Sequence, residues 1–352
     1  MTDFKALSLS ELSSIIKTLN KPEYVAQSIY KWVYRKRVES FSEMSDIAKQ
    51  LRQYLTETMI ISKLELLQKE ISTDGTAKFL FRLEDGNTVE SVLIPYEGRI
   101  TLCVSSQVGC KMACAFCFTA KQGFVRSLTA SEIVNQVLMV NDVAVKELGY
   151  KIDENTGIRA ITNIVFMGMG EPMDNLDNVI KAIEILTEEQ GLAFGLRKIT
   201  VSTCGLIPKM IEFKERSKVK LAVSLNASNE KKRNLLMPVN KTYPLKDLID
   251  AIRKLQLRNY EFVTFEYILF AGINDTDEDA LELVKLIKGL PAKVNLIYFN
   301  PHPGAPEFQP PNAKRMFDFA QLLLDRGIIC RARESRGKDI SAACGQLRSR
   351  EL

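Results

Sequence analysis

From Thr101 onward the chain alternates short strand-forming runs with amphipathic helical stretches, and this rhythm restricts the fold more than any other feature. Residues 101–104, 163–167, 198–202, 218–225, 262–269 and 293–299 are rich in β-branched and aromatic side chains, with helical spacing between them. Thr129-Ala130-Ser131-Glu132 is a capping box for one intervening helix. Pro244 opens another, which continues through Leu248, Ile252 and Leu255. Six β/α units in succession predict an α/β fold with a parallel sheet, open or curled into a partial barrel.

Before residue 101 the pattern differs. Ser8-Leu9-Ser10-Glu11 reads as a capping box with Leu12, Ile15, Ile16 and Leu19 behind it, and Asn20-Lys21-Pro22 ends that helix. A second helix runs through Val25, Ile29 and Trp32, and a third through Ile47, Leu51 and Leu55. Asp74-Gly75 and Asp85-Gly86-Asn87 are hairpin signals around short strands at 76–83 and 88–94. The expected organisation is a small helical and α+β accessory domain over residues 1–95, a barrel core over 96–300, and a C-terminal extension over 301–352 that closes the barrel.

In such barrels chemistry gathers where the parallel strands end. Gly168-Met169-Gly170-Glu171-Pro172 follows the second strand, Ser202-Thr203 closes the third, Ser224-Leu225-Asn226 the fourth, and Asn300 the last. The glycine turn is not a dinucleotide fingerprint, because the third glycine would fall on Met173. After the first strand comes Cys110, Cys114 and Cys117, a C-x-x-x-C-x-x-C run. The spacing i, i+4, i+7 would also suit the buried face of a helix, but Met112, Ala113, Ala115 and Phe116 leave no polar face. Three thiolates suit an iron–sulfur cube with one iron free for another ligand. A structural zinc needs four, with Cys103 or Cys204 as the fourth, and is the rival metal site.

Seven cysteines without a secretory leader point to metal or redox work in the cytoplasm. The single histidine, His302, excludes H-E-x-x-H and Cys₂His₂ zinc sites, and within Asn300-Pro301-His302-Pro303 it reads as a turn residue. The 46% apolar and 26% charged content is that of a globular protein, and no apolar run is long enough to span a bilayer. The net charge of +5 is mild but clustered. Lys31, Arg35, Lys36 and Arg37 surround Trp32 and Tyr34, and Arg326, Arg331, Arg333, Arg336, Lys338, Arg348 and Arg350 crowd the C-terminus. Such patches fit a nucleic-acid footprint or a solvated helix face.

The cysteine run on the first β/α loop resembles that of the radical S-adenosylmethionine enzymes. More narrowly, CVSSQVGC (103–110), MGMGEP (167–172), LLMPVN (235–240), FNPHPGAP (299–306) and DISAACGQL (339–347) resemble the RlmN/Cfr family of RNA adenine methyltransferases. The resemblance implies a radical SAM partial (β/α)6 barrel in which Cys110, Cys114 and Cys117 hold a [4Fe–4S] cluster. It implies cofactor contacts at Gly170, Glu171, Ser202, Ser224, Leu225, Asn226 and Asn300, and two molecules of S-adenosylmethionine per turnover. Many relatives carry histidine where this chain has Asn226, so a titrating role there is absent while a ligand contact is retained.

Cys344 matches the family's cysteine that is first methylated and then carries a methylene radical to an adenine carbon. Cys103 matches the second catalytic cysteine, which releases the product by a transient disulfide with Cys344. Glu90 matches the proton acceptor; strand alternation puts it on the face of Val92 and Ile94, where burial would raise its pKa, unless the strand edge is exposed. Cys204 and Cys330 match no catalytic motif and read as packing residues.

The implied function is methylation of C2 of an adenosine in the peptidyl transferase centre of 23S rRNA and of the adenosine beside the tRNA anticodon. A flavodoxin or ferredoxin is the expected electron donor, and the expected state is a cytoplasmic monomer. Two alternatives are a Cfr-type enzyme acting on C8, disfavoured by Pro172, and a zinc-stabilised RNA-binding module without catalysis. Residues 35–37 are the expected RNA-positioning patch.

Overall fold

The computed structural model describes residues 1–154 and 157–348; Arg350 lies outside them. Ten strands form one sheet in strictly sequential order: β1 (Glu65–Ile71), β2 (Ala77–Arg82), β3 (Thr88–Tyr96), β4 (Arg99–Cys103), β5 (Asn163–Phe166), β6 (Ile199–Thr203), β7 (Lys220–Ser224), β8 (Val263–Leu269), β9 (Ala292–Tyr298) and β10 (Ile329–Arg333). β1 to β4 pair antiparallel, and β4 to β10 are parallel throughout. All six expected parallel strands are present, and β10 adds a seventh. Its arginines at 331 and 333 give it the look of a charged tail in the sequence.

The helices begin where the caps put them. Ser8 and Glu11 close a capping box on Leu9–Thr18, and Thr129 and Glu132 close another on Ala130–Lys146. Leu245–Lys254 follows Pro244. The strands expected to belong to the accessory unit extend the barrel's own sheet, since β3 pairs with β4 from Val92↔Cys103 to Tyr96↔Arg99.

The two faces of the sheet differ in character. Phe166, Val201, Leu221, Val223, Phe265, Tyr267, Val294 and Leu296 are buried on the helix-covered side. Each such side chain stabilises the fold by about 1.5–3 kcal/mol relative to exposure. The other face is polar. Register carries it from Cys103 to Val165, Thr200 and Lys220, and from Ser224 to Glu266, Asn295 and Arg331. With a side-chain period of two, Glu90, Ser202, Lys293 and Arg333 lie on the same inner face.

Arg35 and Arg37, expected to meet RNA, tie the N-terminal helices to the barrel instead. Arg37 forms a two-pronged bond to Asp142 at 3.1 and 2.8 Å, while Arg35 donates to the carbonyls of Gly191 (3.1 Å) and Glu189. Lys36 lies 3.2 Å over the Trp32 ring. After β10 the chain crosses to the β1–β2 turn, where Asp339 accepts from Ser72 Oγ at 2.6 Å and Asp74 accepts from the Gly337 N–H at 2.9 Å. Among the described residues no helix is long and apolar enough to cross a membrane.

Candidate functional site

The cysteine loop leaves the top of β4 through Gly109, at φ +72°, where a Cβ would sit 1.9 Å from the Gly123 carbonyl oxygen, so only glycine fits. Cys110 N–H donates to that same carbonyl at 2.8 Å, and Ala115 N–H donates to the Leu236 carbonyl at 2.9 Å. Residues 110–117 contain no helix, which disposes of the helix-face explanation of their spacing. Backbone N–H groups point at sulfur: Met112 at Cys110, and Thr119 and Ala120 at Cys117.

Burial is the main reason these thiols are hard to ionise. It pushes Cys110 up to about 12, with Cys117 adding repulsion. Cys114 is raised by burial, then by Cys117 and Cys110, and Cys117 by burial. Three thiols that disfavour one another's negative charge, with N–H donors aimed at sulfur, are a donor set suited to a cationic iron–sulfur centre. They are near one another without being closed into a site: among the described residues no three histidine, cysteine, aspartate or glutamate side chains form a metal-holding group.

The two candidate fourth thiols are engaged elsewhere. Cys204 hydrogen-bonds the Glu171 carboxylate, and Cys103 faces Cys344. All seven cysteines are free.

Glu171 anchors the turn after β5. Its oxygens accept from Met173 N–H at 3.0 Å and Cys204 N–H at 2.8 Å, and burial raises its pKa against those bonds. Its charge reaches Cys110 and Cys114. Gly170 lies against Gln107, whose Cβ would be 2.4 Å from an added Cβ, and Gln107 Oε1 accepts from the Glu171 N–H at 2.9 Å. Ser202 Oγ donates to the Phe166 carbonyl at 2.8 Å.

The ends of β6 and β7 are held by Arg233, which is fully buried. Its guanidinium donates to the carbonyls of Ser224 (2.9 Å), Leu225 and Cys204 (2.7 Å). Asn226 takes up φ +56°, a conformation asparagine tolerates. Its Oδ1 accepts from Ile268 N–H at 2.9 Å and its Nδ2 contacts Met237 Sδ at 3.3 Å, so the amide is used to hold the β7 terminus.

Asn300 differs. Its Nδ2 donates to the Cys344 carbonyl at 3.3 Å, and its buried Oδ1 has no partner. An orphaned buried acceptor beside the thiol loop is what a polar ligand bearing N–H or O–H groups would satisfy.

The C-terminal segment joins these parts. Phe118 N–H donates to the Gly345 carbonyl at 2.8 Å, Thr119 Oγ1 to the Leu347 carbonyl at 2.6 Å, and Gln346 Nε2 to the Pro301 carbonyl at 3.0 Å. His302 is the turn residue expected, with Nε2 bonded to the Phe116 carbonyl at 2.9 Å and Nδ1 accepting from Gly304 N–H at 3.2 Å. Arg348 N–H donates to Glu90 Oε2 at 2.7 Å. Cys344 thus faces Cys103 and Cys117, and its side chain is exposed although protein surrounds it, as for a residue lining a cavity.

Glu90 is buried, not at an exposed edge. Burial raises its pKa, opposed by Lys78, whose Nζ lies 3.3 Å from Oε1 with both side chains nearly sealed from water. Lys78 also donates to the Ile340 carbonyl at 2.7 Å. Lys78 and Arg233 are the residues that sequence reasoning missed. Lys78 carried a signal, since it alternates with Leu80 on the strand opposite Glu90. Arg233 ends the run Lys231-Lys232-Arg233 and looks like part of a solvated face.

Comparison with known proteins agrees with this geometry. The radical SAM superfamily model matches residues 104–284, and the ribosomal RNA large subunit methyltransferase N-terminal domain model matches residues 2–61. The chain is 49% identical to a dual-specificity RNA methyltransferase RlmN of Geobacter sulfurreducens, over 99% of this chain and 93% of that one. It is 46% identical to the protein of the same name from Nautilia profundicola, over 94% of each. A radical SAM methyltransferase from Sphaerobacter thermophilus superposes with a TM-score of 0.90 at 43% identity, over 99% of this chain and 100% of that one.

Proposed function

Because the chain belongs to the RlmN family of radical SAM RNA methyltransferases, we propose that it methylates C2 of one adenosine in 23S rRNA and of the adenosine 3′ to the anticodon in tRNA. The observation that carries this reading is the convergence of Cys344, Cys103, Glu90, Asn300 and the three-cysteine loop through one C-terminal segment. When bound, a [4Fe–4S] cluster at Cys110, Cys114 and Cys117 and S-adenosylmethionine beside it supply the methyl group and a carbon-centred radical. Glu171 would face the cofactor's ammonium group, its carboxylate already held in place by the Met173 and Cys204 N–H groups and by the Thr203 and Cys204 side chains. The Asn300 Oδ1 together with Ser202, Ser224, Leu225 and Asn226 would contact the cofactor's remaining polar groups.

Cys344 carries the methyl carbon to the base, Glu90 accepts the proton lost from the adenine ring, and Cys103 frees the product. Adenine C2 is electron-poor, so a polar transfer of a methyl cation to it would fail; a radical route avoids this. The enzyme acts in the cytoplasm as a monomer, with a flavodoxin or ferredoxin as electron donor.

The RNA reading is supported by crowded positive charge where the parallel strands begin. Lys220 is held below its ordinary pKa by burial and then by Lys293, Lys198, Arg197 and Arg99. Among the described residues none of these five cations forms an ion pair. A polyanion relieves such repulsion. Nearby, Tyr96, Arg99, Tyr150, Lys151 and Arg336 line a cavity of about 440 Å³, with the Arg336 guanidinium 4.8 Å from the Tyr96 ring. An exposed aromatic among cations suits a splayed, single-stranded base.

Mass spectrometry of rRNA and tRNA from a deletion strain tests the assignment. Loss of 2-methyladenosine from both is expected; 8-methyladenosine lost instead would make this a Cfr-type enzyme. The Glu90 role sets a pH dependence. A carboxylate must be ionised to accept a proton, and burial raises the Glu90 pKa. Single-turnover methylation should therefore fall about tenfold per pH unit on the acid side, starting above the ordinary glutamate pKa of about 4.3. An acid limb that is unchanged in Glu90→Gln would remove Glu90 from the chemistry.

A further inference from the structure

On the inner face of the barrel, Glu266 and Asn295 are bound to each other and take no part in the chemistry assigned above. Register aligns Ser224 with Glu266, Glu266 with Asn295, and Asn295 with Arg331, so on one level of the inner face the pair stands between a cofactor-contact position and an arginine. Glu266 and Asn295 are 7% and 5% exposed. Asn295 Nδ2 donates to Glu266 Oε1 at 2.8 Å. In this bond the amide nitrogen is the donor, so Nδ2 faces Glu266 and Oδ1 is turned away.

Among the described residues Asn295 Oδ1 has no hydrogen-bond partner, and one Nδ2 hydrogen is unspent. Neither it nor Glu266 Oε2 belongs to the fully sealed unpartnered atoms. Cys344 is close by. Its thiol is raised by burial first and by the Glu266 carboxylate second, with Arg333 opposing.

The juxtaposition presents one acceptor and one donor, side by side and with fixed polarity, next to the thiol that delivers the carbon. Adenine's Watson–Crick edge has the complementary pattern: the N6 amino group donates and N1, bonded to C2, accepts. Guanine shows the reverse, with O6 accepting and N1–H donating.

We propose that Asn295, oriented by Glu266, reads the Watson–Crick edge of the extruded adenine, with Oδ1 accepting from N6–H and Nδ2–H donating to N1. Asn295 is then a substrate-recognition residue and Glu266 a positioning residue. This rests on adenosine being the target, and it adds how the base is chosen.

The test uses reconstituted holoenzyme with S-adenosylmethionine and no reductant, so that binding is read without turnover. The probe is a stem–loop RNA carrying adenosine or purine riboside, which lacks the N6 amino group, at the position the wild type methylates. Wild type should bind the adenosine probe about tenfold more tightly, the worth of one hydrogen bond in a desolvated site. Asn295→Leu should bring the ratio near one, and the isosteric Glu266→Gln, which frees the amide to flip, should reduce it at least about threefold. S-adenosylmethionine affinity should stay unchanged in both.

A ratio kept at the wild-type value in both variants overturns the proposal. So does a wild type that does not discriminate, or a loss confined to cofactor affinity. Failure of the substrate reading is seen separately, as wild type leaving the adenosine probe unmethylated once reductant is added.

Discussion

Replacing Cys344 with alanine is expected to reduce RNA methylation to background while the reconstituted protein keeps about four irons and four sulfides per chain. The structure separates the two properties. The segment around Cys344 is fastened by main-chain atoms, with the Gly345 carbonyl accepting from Phe118 N–H and the Cys344 carbonyl accepting from Asn300 Nδ2. The thiol itself faces the cavity. Removing one sulfur from an exposed position therefore leaves the cysteine loop and its N–H···S contacts in place. It also leaves no carrier for the methyl carbon, and no neighbour replaces it, because burial, the main cause of the raised Cys103 pKa, still keeps that thiol protonated. Mass spectrometry of the RNA and iron–sulfide analysis of the protein read the two effects independently. Residual methylation in the variant would show that the carbon takes another route, and a colourless variant would show that Cys344 supports the cluster.

The parts of this architecture visible in the sequence are those set by neighbours along the chain. Strand alternation placed Glu90 with Val92 on one face, and the inner-face register bears out that placement. The capping boxes at Ser8 and Thr129 mark real helix starts because a cap needs residues only three positions apart. What stayed hidden depends on contacts between distant segments. Arg348 reaches Glu90 across 258 positions, and nothing near Glu90 announces a backbone donor from the C-terminus.

Charge was the least legible property. Arg35 and Arg37 cluster with aromatics as a nucleic-acid footprint would, yet carboxylate and carbonyl oxygens on the barrel claim them. Lys220, Lys293 and Arg331 are scattered over more than a hundred positions and converge only because β7, β9 and β10 curl round one lumen. Asn226 shows the same limit at a single residue. Nothing beside it in the sequence shows that Ile268 N–H, forty-two positions away, takes its amide oxygen at a left-handed turn.

Cys103→Ala should stop the reaction at a later point and accumulate RNA joined covalently to the protein through Cys344. In the proposed release step the Cys103 thiolate bonds to the Cys344 sulfur and the bond from that sulfur to the RNA carbon breaks. The carbon leaves with the electron pair and is protonated to a methyl group, so the Cys103 thiol and the Cys344 thioether become one disulfide, the carbon is reduced as the sulfurs are oxidised, and the proton the thiol gives up matches the one the carbon gains. Cys103 is placed for this by β4, whose register with Val92 and Val165 turns it inward, toward Cys344. Burial keeps its thiol protonated at rest, so the disulfide should not form spontaneously before the adduct exists. Alanine leaves the strand pairing intact, since the change removes one buried sulfur and no backbone atom. Denaturing electrophoresis of single-turnover mixtures should show a protein–RNA species in the variant at close to one per active site, with little free methylated RNA. Free methylated RNA released at the wild-type rate would show that another group breaks the carbon–sulfur bond and that Cys103 has no part in release.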